Sequence, residues 1–252
     1  MSRSSSDQRA RRVGPRDLSV EVTARYRSMW WLNRVVMRLL FDVRVSGLEH
    51  WPAPPIQVVA NHHNGFDPLL VLSAVPLEPR ITWFGPREAD FSRGFKNRIM
   101  AFFGGMIPYH PEKTTLTSAV RAVRRVFDAR GVLGIFAEGR VGFRETELLP
   151  FEEGAAAFAV ASAVPVVPCA IVGSTTLWLR KRIEVRFGPA IGTDAIRGRD
   201  ARRALDARIR SAITALLPDE EPVAPRRRPM GFLTDLLNGA EDVARRHAEE
   251  SR

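Results

Sequence analysis

Val58-Val59-Ala60-Asn61-His62-His63-Asn64-Gly65-Phe66-Asp67-Pro68 decides how the rest of this chain is read. Its first residues finish an apolar run, Ile56–Ala60, with the composition of a buried strand. Its last two suit the start of a helix, because Asp favours the N-cap and Pro the first helical position. A strand, a short loop and a helix make the building unit of an α/β fold. His62 stands just past the strand, with Asp67 five positions on. The loop between them contains Gly65, so it can fold the imidazole back against the carboxylate. A carboxylate on one imidazole nitrogen fixes the tautomer and raises the basicity of the other. The spacing alone is weak evidence: 5 His and 12 Asp in 252 residues give roughly 0.24 such pairs by chance. His63 has no partner at this spacing and is the weaker candidate. A metal site from His62, His63 and Asp67 lacks further nearby ligands of the usual kind, so no metal is expected.

Outward from this stretch the pattern repeats. Apolar β-like runs occur at Ile56–Ala60, Ile81–Phe84, Val132–Ala137, Val164–Val172 and Ile183–Phe187. Helical stretches fall near 68–75, 94–103, 114–130, 152–163 and 199–217. Continuous apolar strands alternating with helices predict an α/β domain over 43–217, with a mainly parallel sheet flanked by helices. Ligands of such sheets gather at the carboxyl ends of the strands, where both His62 and Glu138 stand. The proline-bracketed Val164-Pro165-Val166-Val167-Pro168 must place a proline at an edge, an end or a bulge.

The ends of the chain carry a different signal. The net charge is +10, and arginine supplies nearly all of the positive side. Residues 1–21 read as a disordered basic tail, rich in Ser and Arg. Residues 22–42 read as an amphipathic helix with Trp30 and Trp31, its Arg27, Arg34 and Arg38 in one narrow stripe. A helix of that kind suits a bilayer interface, with packing on the main domain as the alternative. A Pro/Arg linker, 218–229, holds Arg226-Arg227-Arg228, and 230–252 reads as a separate C-terminal amphipathic helix. Basic clusters beside such helices favour an anionic membrane surface as partner. No zinc-finger spacing, RNP-like aromatic motif or helix-turn-helix supports nucleic acid. No signal peptide and no transmembrane run is read from the sequence, and the lone Cys169 in an apolar setting suits an inert buried thiol. The expectation is peripheral attachment to the cytoplasmic face of a membrane.

Three further blocks give the pattern its specificity. Phe136-Ala137-Glu138-Gly139-Arg140 follows the Val132–Ala137 strand, where Gly139 permits close approach to a ligand and Arg140 with Arg144 offers a grip on an anion. Phe151-Glu152-Glu153-Gly154-Ala155 opens a small-residue helix, and Val164–Pro168 completes the series. In this order and at these separations the blocks resemble the glycerolipid acyltransferase family, which includes lysophosphatidic acid acyltransferases. The resemblance covers roughly residues 45–190. The family's Asn-His-x4-Asp block is intact as Asn61, His62 and Asp67. Its second block, Gly-x-Ile-Pro-Val-x-Arg, reads Gly105-Met106-Ile107-Pro108-Tyr109-His110-Pro111, with no arginine for an acceptor phosphate. In the third block, Ala137 replaces Pro and Arg140-Val141 replaces Thr-Arg. Arg87 stands at the lysine of the family's Lys-x-Glu-Leu-Phe segment.

The resemblance implies acyl transfer from acyl-CoA or acyl carrier protein, as co-substrate, to the hydroxyl of a lysophospholipid. His62 and Asp67 are then catalytic, with Glu138, Gly139 and Arg140 at the acceptor and no bound cofactor. The missing arginine keeps open an acceptor without phosphate. A non-catalytic membrane scaffold of the same fold is the remaining alternative.

Overall fold

The computed structural model describes residues 21–85, 105–107, 116–152, 155–193 and 198–250. The basic tail, the helix expected at 94–103, Arg87 and His110 lie outside them. Helix α1 (Ala24–Leu40) opens with Thr23, whose hydroxyl accepts from Tyr26 N at 3.1 Å. Strand β1 (Phe41–Ser46) follows without a break, where the sequence pattern shows only the end of the helix. The alternation Phe41, Val43, Val45 suits a strand, but it is too short to separate from the apolar helix before it.

Among the described residues seven strands form one sheet in the order β1-β7-β6-β2-β5-β3-β4. The others are β2 (Ile56–Ala60), β3 (Ile81–Phe84), β4 (Met106–Ile107), β5 (Val132–Phe136), β6 (Val166–Val172) and β7 (Lys181–Phe187). Every neighbouring pair is parallel except β6 with β7, as a mainly parallel sheet requires. Helices α2 (Asp67–Ala74), α3 (Leu116–Asp128) and α4 (Ala155–Ser162) lie between successive strands, and α5 (Gly198–Thr214) follows β7. Helices α1 and α2 share one apolar core with Val58, Ala60, Cys169 and Ile171; α3, α4 and α5 share another with Val59, Val166 and Ala170. Alternate residues of β2 and β6 thus enter opposite cores, which is why these strands are apolar apart from buried Gln57, whose Nε2 donates to Ala155 O at 2.7 Å. Pro168 lies within β6 but ahead of its ladder with β7, which begins at Cys169↔Phe187.

Helix α1 has two apolar faces. Tyr26, Met29, Trp30 and Met37 are buried, while Trp31, Leu32, Val35 and Leu39 are 50–66% exposed. Arg34 leaves the cationic stripe to donate to Ser73 O of α2 at 2.8 Å. Among the described residues no helix is long and apolar enough to cross a membrane.

The C-terminal stretch is two helices, α6 (Leu233–Leu236) and α7 (Ala240–Glu250), where the sequence reading expects one separate helix. The break falls at Asn238-Gly239. It is held open by contacts with the main domain: Leu233 is 2% exposed and belongs to the α1–α2 core, with Leu237 packed against it.

Candidate active site

Strands β2 and β5 run parallel in the register Ala60↔Phe136, so Asn61-His62 and Ala137-Glu138 leave the sheet side by side. This brings residues 76 positions apart into one place, at the carboxyl edge where α/β sheets bind ligands. Asn61 anchors the loop to β6: its side chain accepts from Ile171 N at 2.7 Å and donates to Ile171 O at 2.9 Å. His62 N donates to Glu138 Oε1 at 3.0 Å, and Gly142 N donates to His62 O at 2.8 Å.

His62 Nδ1 lies 2.9 Å from Asp67 Oδ2. The same oxygen accepts from His63 N at 2.6 Å and Asn64 N at 2.8 Å. Asp67 is therefore not the N-cap that its place before Pro68 predicts. Phe66 is the cap, and the carboxylate turns back to close the loop. A fully buried carboxylate tied to two backbone N–H groups is a fixed partner for an imidazole. With Nδ1–H donated to Asp67, the lone pair of neutral His62 sits on Nε2, which makes no hydrogen bond among the described residues. The imidazole stacks on Phe136 at 4.3 Å between ring centres, and Phe136 stacks on Trp83 at 4.8 Å. Gly134 makes room for this column, since a Cβ there would lie 2.5 Å from the Trp83 ring.

His63, the weaker candidate by sequence, does have a partner. It is buried, with Nδ1 3.4 Å from Glu145 Oε2. Glu145 also accepts from Gly173 N at 2.8 Å, Thr175 N at 2.9 Å and Thr175 Oγ1 at 2.6 Å. Burial opposes both charges, but the pairing wins. The His63 pKa is raised by Glu145, Asp67 and Glu138 against its desolvation, and Glu145 is lowered to about 2 by His63, Thr175 and Gly173. No local spacing points to Glu145, which lies 82 residues away on the loop after β5.

The Glu138 carboxylate is buried and spent on the backbone, accepting from His62 N and from Leu149 N at 2.8 Å. Burial raises its pKa, with the two N–H groups partly offsetting. It clips the His62 loop to the loop after β5. Gly139 has φ +64°, and a Cβ there would press Glu152 Cγ at 2.7 Å. Arg140 is exposed and makes no ion pair among the described residues. Arg144 is held within 3.4 Å of Glu147 and 3.9 Å of Glu249. Cys169 is fully buried, and burial pushes its thiol pKa up, away from nucleophilic use. Among the described residues no group of three His, Cys, Asp or Glu side chains is placed to hold a metal ion.

Comparison with known proteins agrees with this architecture. The model of the family described as Acyltransferase matches residues 42–172, just over half of the chain. The chain belongs to that acyltransferase family. Among solved structures it is similar to the 1-acyl-sn-glycerophosphate (LPA) acyltransferase PlsC from Thermotoga maritima, with a TM-score of 0.60 at 17% identity. The likeness covers 76% of this chain and 79% of that one, and it shows a shared fold. No curated protein matches. The acyltransferase match spans β1 to β6 and so includes both His62 and Glu145, but stops short of α5, α6 and α7.

Proposed function

We propose that this acyltransferase moves a fatty acyl group from a thioester, acyl-CoA or acyl carrier protein, to the hydroxyl of a lysophospholipid, with lysophosphatidic acid the first acceptor to test. The observation that carries the reading is the 2.9 Å contact of His62 Nδ1 with buried Asp67, which leaves Nε2 as the basic nitrogen. The acceptor oxygen attacks the thioester carbonyl as Nε2 takes its proton. The tetrahedral intermediate then expels the thiolate, which recovers that proton from the imidazolium, leaving ester and free thiol. Asp67 stabilises the imidazolium in between. General-base catalysis of this kind contributes about 10²–10⁴-fold.

A membrane location is part of the same proposal. The outer face of α1 (Trp31, Leu32, Val35, Leu39) and exposed Phe232 near Arg226-Arg227-Arg228 suit an anionic bilayer surface, on the cytoplasmic side. Residues 179–180 bridge the chain beside the two patches, Arg180 N donating to Leu40 O and Leu179 N to Pro229 O.

A second reading is favoured by Pro111, which stands where the family's phosphate-binding arginine is expected. In that reading the acceptor carries no phosphate there. Arg140, exposed at the carboxyl edge, is the candidate replacement cation if it does. The test offers labelled acyl-CoA with lysophosphatidic acid, other lysophospholipids and phosphate-free lipid alcohols in mixed micelles, with His62→Ala as control. Product from lysophosphatidic acid, lost in the mutant, supports the first reading. Arg140→Ala should then raise the acceptor KM roughly 10-fold or more, as for loss of a charge-assisted hydrogen bond. Product only from phosphate-free acceptors supports the second. No product with acyl-CoA or acyl carrier protein would favour a non-catalytic scaffold.

A further inference from the structure

The loop carrying His62 is gripped from a part of the chain that lies outside the acyltransferase match. Asn238 Oδ1 accepts from Gly65 N at 2.6 Å, and Asn64 Nδ2 donates to Thr234 O at 2.9 Å. Asn238 Nδ2 donates to that same Thr234 O at 2.9 Å, joining the two grips. Thr234 is fastened in turn to the loop after β6: its hydroxyl accepts from Leu177 N at 2.8 Å and donates to Leu177 O at 3.1 Å. These polar groups are buried, with Thr234 7% and Asn238 4% exposed. The approach is close enough that a Cβ on Gly65 would lie 2.2 Å from Leu237 O. Helix α7 adds outer fastenings, Arg246 to Asp235 and the Arg245 guanidinium 5.3 Å from the Phe143 ring.

We infer that residues 233–238 are a positioning strap for the catalytic loop, with Asn238 and Thr234 its positioning residues. The inference rests on His62 being the base, as proposed above. Asp67 holds His62 at one end of the loop. Asn64 is tied within its own β–α unit by its backbone and by Oδ1, which accepts from Phe66 N at 3.1 Å, but Asn64 Nδ2 and Gly65 N are bonded to the strap. Asn64 N is taken by Asp67, while its side chain and the next N–H reach the strap. A loop with a glycine at its tip and no strap would sample positions in which Nε2 misses the acceptor. Displacement of a catalytic group by about 1 Å can cost on the order of 10²-fold in rate.

The test uses the full chain. Asn238→Leu removes the acceptor for Gly65 N, and Asn238→Asp keeps an oxygen there. Asn238→Leu should lower kcat on the order of 10- to 100-fold, with both KM values within about twofold, while Asn238→Asp stays within about fivefold of the parent. Thr234→Val, which loses only the clasp on Leu177, should give a smaller fall of the same kind and serves if Asn238→Leu does not fold. A second readout needs no turnover: carbethoxylation of His62 by diethylpyrocarbonate, followed by mass spectrometry, should speed up in Asn238→Leu and not in Asn238→Asp. A parental kcat and an unchanged His62 modification rate in folded Asn238→Leu or Thr234→Val would overturn the strap. Full activity of His62→Ala would instead overturn the base assignment, with the modification rates still deciding the strap.

Discussion

His62 and His63 are neighbours in sequence and opposites in use. His62 keeps 16% of its side chain exposed, leans on Phe136 and gives one nitrogen to Asp67, so its other nitrogen remains for chemistry. His63 is buried and spends itself on Glu145, tying the loops after β2, β5 and β6 together. The difference lies less in the imidazole than in the carboxylate each one meets. Asp67 comes from the same loop and is held by backbone N–H groups, which makes a local, pre-formed pair. Glu145 comes from another loop, so its pair with His63 exists only when the sheet is assembled. On the proposed mechanism, one histidine is arranged for reaction and the other for architecture.

The comparison breaks most sharply at His62. His62→Ala should cut kcat by about 10²–10⁴-fold, measured as acyl transfer from labelled thioester. Its thermal midpoint should fall only modestly, by about 1–2 kcal/mol of stability, as the bond to Asp67 and the stack on Phe136 are lost. A large loss of stability would mean that the two histidines share the structural work.

The mirror-image change is Glu145→Ala. It leaves His63 buried without its carboxylate and should destabilise the fold by about 3–5 kcal/mol, read as a shift in urea midpoint. Paired replacement by apolar residues, His63→Phe with Glu145→Leu, should recover only the part of that loss due to the unpaired His63, because Gly173 N, Thr175 N and Thr175 Oγ1 lose their acceptor in both variants. If the single and double changes cost the same, the pair is not coupled.

The pH dependence of stability sharpens the same point. Glu145 has its folded pKa lowered to about 2, so its contribution is present above its ordinary value of 4.5 and is lost as pH falls towards 2. His63 has its folded pKa raised, so its contribution is present below 6.5 and is lost as pH rises through the folded value. The pair therefore stabilises most between about pH 4.5 and 6.5. Urea midpoints measured across pH should show this plateau in the parent and lose it in the apolar double variant.

What the sequence reveals follows the same division between local and assembled. Strands β2, β3, β5 and β6 are legible as mainly apolar runs bounded by turn residues, and β7 by the alternation of Ile183, Val185 and Phe187 with charged residues. The His62–Asp67 pair is legible because five residues and one glycine are enough to make it. β1 is not, because Phe41–Ser46 continues an apolar helix with no breaker between. Glu145 is hidden because its partner is chosen by which loops the sheet brings together. The strap is hidden twice over: residues 230–249 have helical periodicity, and only docking on Gly65 shows why Asn238-Gly239 interrupts it.

The smallest expected effect lies beneath His62. Phe136 is the floor of the imidazole, and Trp83 is the floor of Phe136, with the two rings only 2° from parallel. Stacked aromatic pairs contribute about 0.5–1.5 kcal/mol beyond their buried area. Phe136→Leu keeps an apolar side chain at the end of β5 but removes the flat surface. If that surface only fills space, the thermal midpoint should fall slightly and kcat stay unchanged. If it sets the plane in which Nε2 is presented, kcat should fall by about threefold to tenfold, the kinetic equivalent of that energy. The His63–Glu145 plateau in stability against pH should survive in either case, since Phe136 stacks on His62. Loss of both together would show that the imidazoles are not independent, and the division of labour between them would have to be abandoned.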